Sequence, residues 1–422
     1  MSARKVVCAT YNGKLARGCV HALTTGEPSE DLTGWLSSTR DPGAGPDDEA
    51  PDFVAVGFQE MIPLHLALAG FTKTALDLHD DELLAAIERR FSPSSAGKGK
   101  SAATQGQGYR LVARKAIGGI ALLVYARRGG VAERVERVAV STVGCGILGL
   151  MGNKGAVGVR VTLAEEKGSS EWTFVSAHLA AHQGECEARN ADWKEICQRL
   201  VFEDEEGGQR GLFETGHLFF FGDLNYRISL TSPKKLPLHL LTHSIQSLSP
   251  SNPSTFSSLL SHDQLRQEQL AGRTLHHLRE GDITFPPTYK FKPGTRSEYK
   301  DFKKRVPGWC DRVLFASAAG EGAKVESYRS VMDFTRSDHK PVAATISIPS
   351  TAVTSRLPHE PPYALDLGSY RLKRTLGLVL DRLVGLLWCL VMLAGLNRDL
   401  RLGFVNLAVA SATAYYRRYV MA

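Results

Sequence analysis

Two positions after a run of three phenylalanines, the chain sets down a carboxylate, then an amide, then a guanidinium: Phe219-Phe220-Phe221-Gly222-Asp223-Leu224-Asn225-Tyr226-Arg227. A strand alternates its faces, so Asp223 and Asn225 would leave its end pointing the same way, able to hold and aim one water. The segment Gly222-Asp223-Leu224-Asn225 also reads as a turn closed by Asx hydrogen bonding. Other apolar runs end in ionisable clusters too: Gly57-Phe58-Gln59-Glu60, Ser176-Ala177-His178-Leu179, Val306-Pro307-Gly308-Trp309-Cys310-Asp311-Arg312-Val313-Leu314-Phe315 and Ser337-Asp338-His339-Lys340-Pro341-Val342. Glu60 is a hard oxygen ligand suited to Mg²⁺, which binds through one or two carboxylates and keeps several waters. Asn12, after the first apolar run, could complete such a metal site or contact a phosphate. Asp223 would then activate or orient the attacking water and Asn225 would stabilise developing charge, in a metal-assisted, in-line phosphoryl hydrolysis without a covalent intermediate.

Taken in order, Asn12, Glu60, His178, Asp223, Asn225, Asp311, Asp338 and His339 resemble the endonuclease/exonuclease/phosphatase superfamily. The segments from Gly222 to Arg227 and from Pro307 to Leu314 look like the two signature motifs of inositol polyphosphate 5-phosphatases. The resemblance covers residues 5–347. It implies an α/β four-layer sandwich of two packed mixed β-sheets flanked by helices. It also implies that His178 and His339 stand against the scissile phosphate, that Asp311 fixes the tautomer of His339, and that Asp338 lies on the metal side. Gly152-Asn153-Lys154-Gly155-Ala156, Thr288-Tyr289-Lys290-Phe291 and Lys303-Lys304-Arg305 look like the elements with which the family grips the phosphate next to the one removed. A second phosphate monoester carries nearly two charges and needs several donors converging in one place, which Asn153, Lys154, Tyr289, Lys290 and Lys303 could supply. Arg189 and Asn190 match the family pattern as structural support. Two aromatic positions depart from it: Phe220 and Tyr11 stand where the family usually has tryptophan.

The elements that must position these groups are short apolar runs alternating with helical patterns. Residues 52–58, 118–125, 155–163, 172–177, 217–221, 312–316 and 341–348 read as strands rich in Val, Phe and Ile, after a first strand beginning near Lys5. Residues 80–91, 185–202 and 262–279 read as amphipathic helices, and 41–51 and 92–107 as loops.

Net charge excludes one class of function. The chain carries +7, but eight basic residues against Asp381 and Asp399 in residues 371–422 leave +6 there and only +1 in residues 1–370. A nearly neutral body lacks the broad basic surface that grips nucleic acid. Seven scattered cysteines with no Cys-x-x-Cys spacing suit a reducing compartment and argue against zinc. The N-terminus has no apolar signal region, so secretion is not expected.

Past Pro349 the composition changes. Residues 351–370 read as a linker and 371–422 as a hydrophobic, basic tail, after a catalytic domain over residues 1–350. The run from Leu383 to Leu396 has 14 residues. As a helix that is about 21 Å at ~1.5 Å per residue, short of the ~30 Å hydrocarbon core. A second run, Leu402 to Tyr416, ends in Tyr415-Tyr416-Arg417-Arg418, an interfacial aromatic and basic signature. Arginines before, between and after the runs favour two helices in the interface, or a hairpin, over a single tail anchor. A soluble helical pair packed on the body is the other arrangement open at this level. The expectation is therefore a Mg²⁺-dependent phosphatase acting on the 5-phosphate of phosphoinositides, held by its tail at the cytosolic leaflet of the plasma membrane or an endomembrane. Its partners are the lipid substrate and that leaflet, with no nucleic acid. The rivals are another superfamily phosphodiesterase, or a catalytically inert adaptor that only binds phosphoinositides.

Overall fold

The computed structural model describes residues 3–13, 50–91, 108–204, 206–231, 258–300, 306–349 and 356–395, with single positions between 237 and 245 and at 405 and 411. Lys303, the loops expected over 41–51 (to residue 49) and 92–107, and nearly all of the second apolar run lie outside the described residues.

In chain order the strands are β1 (Arg4–Asn12), β2 (Phe53–Gln59), β3 (Tyr109–Ile117), β4 (Ile120–Arg127), β5 (Val135–Gly144), β6 (Gly155–Ala164) and β7 (Ser169–His178). They continue with β8 (Phe202–Glu203), β9 (Gln209–Arg210), β10 (His217–Asp223), β11 (Arg279–Glu280), β12 (Asp311–Ser317), β13 (Lys324–Ser330) and β14 (Val342–Ile348). The described helices are α1 (Leu64–Ala69), α2 (Thr72–Phe91), α3 (Cys186–Arg199), α4 (Gln264–Leu270) and α5 (Tyr370–Leu393).

Two six-stranded sheets result, in the orders β13-β14-β1-β2-β4-β3 and β11-β12-β10-β7-β6-β5. Both are mixed, and each has one parallel pair among antiparallel neighbours, β1 with β2 and β7 with β10. The sheets face each other across a core in which Phe53, Ala55, Leu122 and Val124 meet Val157, Trp172, Phe174, Phe219 and Phe221. On the outer face of the first sheet, Val54, Val56 and Tyr11 pack under Leu76, Leu83 and Ile87 of α2. On the outer face of the second, Val175, Leu218 and Phe220 pack under Trp193 and Ile196 of α3. Burial on both faces is why the central strands are continuous apolar runs and not alternating ones. The expected four layers are thus α2, two sheets and α3.

Gly57 marks the closest approach of the sheets. A Cβ there would lie 2.6 Å from the Ser176 hydroxyl and 2.9 Å from the Phe221 ring, so any side chain would push the layers apart. Phe220 packs edge-on against Trp193 at 5.2 Å and Tyr11 against Phe334 at 5.7 Å. Both departures from the family pattern therefore sit in the outer cores, away from the reacting groups.

Two helices differ from expectation. The one expected over 80–91 starts at Thr72, and the one expected over 262–279 stops at Leu270. Gly272 follows with φ +64, and Leu275 and His277 also have positive φ. A right-handed helix cannot pass through such a segment.

Candidate active site

Register brings the site together before any side chain is considered. Asp223, the last residue of β10, sits opposite Asp311 on β12 and beside His178, the last residue of β7. Asn12 and Gln59 end the parallel pair of the other sheet side by side. The site thus lies at the carboxyl ends of the central strands, the edge of an α/β sheet at which polar groups can converge without breaking the ladder.

Asp223 is its hub and is 1% exposed. Its Oδ2 accepts from Asn12 Nδ2 at 2.8 Å, and lies 3.4 Å from His178 Nε2 and 3.8 Å from His339 Nε2. Burial would raise this carboxyl, but His339, His178 and Lys154 outweigh it and hold the group well below the usual carboxylate range. His339 Nδ1 lies 2.9 Å from Asp311 Oδ2, which also accepts from the Thr288 hydroxyl at 2.6 Å. Burial would lower the His339 pKa, but Asp311 and Asp223 push it up to about 9. His178 is the opposite case: burial, then the Lys154 ammonium against its Nε2, keeps its pKa below the ordinary value. At neutral pH one histidine is a cation and the other is neutral, so two like side chains offer different chemistry.

Asn225 does not continue the strand. It has φ +58, its backbone N–H donates to Asp223 Oδ1 at 3.1 Å, and its Nδ2 donates to Leu179 O at 3.1 Å. The Asx turn is therefore real, and it coexists with the polar cluster: the turn braces one Asp223 oxygen and leaves the other facing Asn12 and the histidines. The i, i+2 alternation expected of Asp223 and Asn225 fails because the strand ends at Asp223.

Glu60 follows β2 in the left-handed region at φ +49, a conformation that costs energy outside glycine and is concentrated at functional sites. Its carboxylate acts electrostatically on both Lys154 and His178. Asp338 pairs with Lys290 Nζ at 3.3 Å, and its carbonyl accepts from Phe291 N–H at 2.8 Å. Tyr289 stacks obliquely on His339 at 4.5 Å, with the Arg227 guanidinium 4.1 Å above its ring. Lys154 is half-buried against His178, and desolvation lowers its pKa against the pull of Asp223 and Glu60. Asn153 turns its Oδ1 to Ile147 N–H at 3.0 Å.

Three supporting residues carry no chemistry of their own in the sequence reading. Ser337 donates to Asn12 O at 2.6 Å and accepts from His339 N–H at 3.2 Å, pinning the segment ahead of β14 to the end of its neighbour β1. Thr288 braces Asp311, and Arg227 clamps the Asn225 turn through its carbonyl at 3.1 Å. Ser337 and Thr288 each sit within two residues of an expected site residue, which is the one signal that could have found them. Arg189, expected as support, is buried and donates to Ala180 O, His182 O and Gln264 Oε1.

A cation fits here by donor chemistry. Among the described residues, Asn12 Oδ1 and Asp311 Oδ1 are buried oxygens with no hydrogen-bond partner. Such oxygens are costly unless a cation or water meets them. Asp223, Asp311 and His339 bring one ligand atom each within 4.8 Å of one another. Yet His339 is engaged through Nδ1 with Asp311 and is protonated at neutral pH, so this trio is a carboxylate–imidazolium relay more than a ligand set. Asn12, with its buried Oδ1, and Glu60, which follows the strand partner Gln59, offer oxygen ligands of the kind a hard ion takes.

Comparison with known proteins agrees with this geometry. Residues 9–345 match the model of Endonuclease/Exonuclease/phosphatase family 2. The chain is similar to the type II inositol 1,4,5-trisphosphate 5-phosphatase of Mus musculus, 33% identical over 337 residues, covering 78% of this chain and 29% of that protein. It is similar also to the type IV inositol polyphosphate 5-phosphatase 9 of Arabidopsis thaliana, 33% identical over 322 residues and 72% of each chain. Among solved structures it resembles the inositol polyphosphate 5-phosphatase domain of SpSynaptojanin in complex with inositol (1,4)-bisphosphate and calcium ion, with TM-score 0.62, 26% identity and 90% of each chain covered. The strand-end cluster around Asp223, the match along most of the chain and these relatives agree: the chain belongs to the inositol polyphosphate 5-phosphatase family.

Proposed function

We propose that this chain is a Mg²⁺-dependent phosphatase that removes the 5-phosphate of phosphoinositides such as phosphatidylinositol 4,5-bisphosphate, by direct attack of water. The observation that carries the reading is the Asp223 carboxylate, kept ionised inside a buried ring of Asn12, His178 and His339. A carboxylate that acidic is a poor proton store, so its role is to accept a hydrogen bond from the attacking water and align its lone pair with phosphorus. Asn225 stabilises that carboxylate through the turn. His339, positive and oriented by Asp311, donates to a phosphoryl oxygen as charge builds there. His178 offers a second donor, and Asp338 steadies Lys290. Asn12 and Glu60 are the residues that would hold Mg²⁺, which when bound supplies Lewis-acid charge to the phosphoryl oxygens.

Asn153, Lys154, Tyr289, Lys290 and Lys303 would grip the neighbouring 4-phosphate. Lys290→Ala combined with Lys303→Ala is expected to cut kcat/KM on the 4,5-bisphosphate by at least about 100-fold, at ~1.5–3 kcal/mol for each of the two charge-assisted contacts. The loss on a 5-monophosphate should be only a few-fold. Parallel kinetics on the two lipids check this, and equal losses would assign the lysines to fold or surface.

The role of Glu60 as a metal ligand has its own readout. Glu60→Gln is expected to shift the Mg²⁺ concentration for half-maximal rate upward by about tenfold or more, since a neutral amide is a weaker ligand than a carboxylate. An unchanged metal titration would remove Glu60 from the ligand set.

The tail is read as membrane-associating. Helix α5 has 24 residues, and its most apolar 18-residue window has a mean hydropathy of 2.1 and is 17% buried, so by length and composition it could cross a membrane. Its docked face argues for lying along the cytosolic surface instead, with Leu383, Leu387 and Leu390, each more than 60% exposed, turned outward. Phosphate release from a panel of defined phosphoinositides, with the 3,4,5-trisphosphate and soluble inositol polyphosphates included, tests the whole reading. Release from the 4,5-bisphosphate supports it. Silence across the panel, with lipid still bound, would favour an inert adaptor.

A further inference from the structure

Helix α5 meets the body along one stripe of every fourth residue: Gly377, Asp381, Gly385 and Cys389. A Cβ at Gly377 would lie 2.3 Å from Leu150 O, and one at Gly385 2.2 Å from Ala69 N, so the helix backbone rests directly on the 147–154 loop and on the C-terminal end of α1. Between them Asp381, 1% exposed, accepts the Gly152 backbone N–H on both carboxylate oxygens at 3.0 and 3.1 Å. Arg382 donates to Leu68 O at 2.6 Å, and Cys389 Sγ reaches His65 O at 3.7 Å.

The two segments so clamped are not arbitrary. Gly152 stands two residues before Lys154, whose ammonium meets His178, and one before Asn153. Helix α1, under Arg382, Gly385 and Cys389, begins four residues after Glu60. Two of the segments that reach the site from outside the central strands are therefore held from behind by a single helix. A buried aspartate in an otherwise apolar helix is costly to desolvate unless its acceptors are used, and here both are used on one amide.

We propose that Asp381 is a positioning residue, through which the C-terminal helix holds the 147–154 loop in the geometry that presents Asn153 and Lys154 to substrate. The helix is on this view a working part of the catalytic body as well as a membrane device. The inference rests on the phosphatase reading given above. It also differs from a pure tether in one measurable respect, because it acts on substrate that is not in a membrane.

The experiment uses the full chain in detergent-free buffer or mild detergent, with a short-chain, water-soluble phosphatidylinositol 4,5-bisphosphate. Asp381→Leu leaves the Gly152 N–H without its acceptor. KM is expected to rise about tenfold, with kcat changed less than threefold, because the strand-end groups around Asp223 stay in place. Asp381→Asn keeps an acceptor oxygen and is expected to restore most of the lost affinity. Amide hydrogen exchange over residues 147–154 should be faster in Asp381→Leu and near wild type in Asp381→Asn. If the leucine variant does not fold, Asp381→Ser with the same two readouts replaces it, since its hydroxyl is too short to reach Gly152. Unchanged KM and unchanged exchange in a folded variant would overturn the proposal and leave the helix as a tether. A wild-type chain inactive on every phosphoinositide would instead sink the phosphatase reading, with the exchange data still judging the loop.

Discussion

Asp223→Asn is expected to lower kcat by about 10³- to 10⁴-fold while substrate binding changes little. The substitution is nearly isosteric, so the Asx hydrogen bond from Asn225 N–H at 3.1 Å to Oδ1 can survive, as can the strand register with Asp311 and His178. What disappears is the negative charge between the two histidines. With the amide oxygen kept on the Asn225 N–H, the NH₂ group takes the place of Oδ2, so the acceptor for Asn12 Nδ2 and for water at that end is lost. Correct positioning of a nucleophile and its proton acceptor contributes factors of roughly 10²–10⁴, and loss of the charge should also release the raised pKa of His339. Single-turnover kinetics with a binding measurement separates the effects. A kcat within tenfold of wild type would remove Asp223 from the centre of the mechanism.

The second large effect is that of His339→Ala, expected to cost about 10²–10³ in kcat, the range for losing one donor to developing transition-state charge. Its pH signature fixes the sign. Asp311 and Asp223 raise the folded pKa to about 9, so the charged donor is present below that pH and disappears as pH rises through it. Wild-type kcat should therefore hold through neutral pH and fall above about pH 9, and the alanine variant should lack that limb. A wild-type rate still climbing at pH 10 would show that neutral imidazole is the active form.

Much of this architecture was legible in the sequence because it is buried. Strands β1, β2, β4, β6, β7, β10, β12 and β14 have both faces covered and announce themselves as runs of Val, Phe and Ile. The edge strands did not. β5 alternates exposed and half-covered residues over Val135 to Val140, β13 carries Lys324, Glu326 and Arg329, and β3 mixes Arg110, Arg114 and Lys115 among its apolar positions. Edge strands carry charge to discourage pairing with other chains, and a search for continuous greasy runs passes over them.

The site shows the same division. Asn12, His178, Asp223, Asp311 and His339 were readable as polar residues at the ends of apolar runs, and all five meet within hydrogen-bonding or ion-pair range. Ser337 and Thr288 were not, because a hydroxyl that braces a neighbour carries no pattern of its own. The apolar run from Leu383 is the second half of a longer helix, which begins at Tyr370 and buries Asp381 against Gly152. A charged residue ends an apolar run only where water receives it. Here the body does.

The central claim is that water, aimed by Asp223, displaces the phosphate at position 5. It is tested most directly by turning over a short-chain phosphatidylinositol 4,5-bisphosphate with Mg²⁺ in ¹⁸O-labelled water, then identifying both products. The account predicts phosphatidylinositol 4-phosphate and inorganic phosphate carrying one ¹⁸O from solvent, with neither formed by Asp223→Asn at a comparable rate. A 5-monophosphate product, or solvent ¹⁸O incorporated at the inositol 5-hydroxyl, would contradict it.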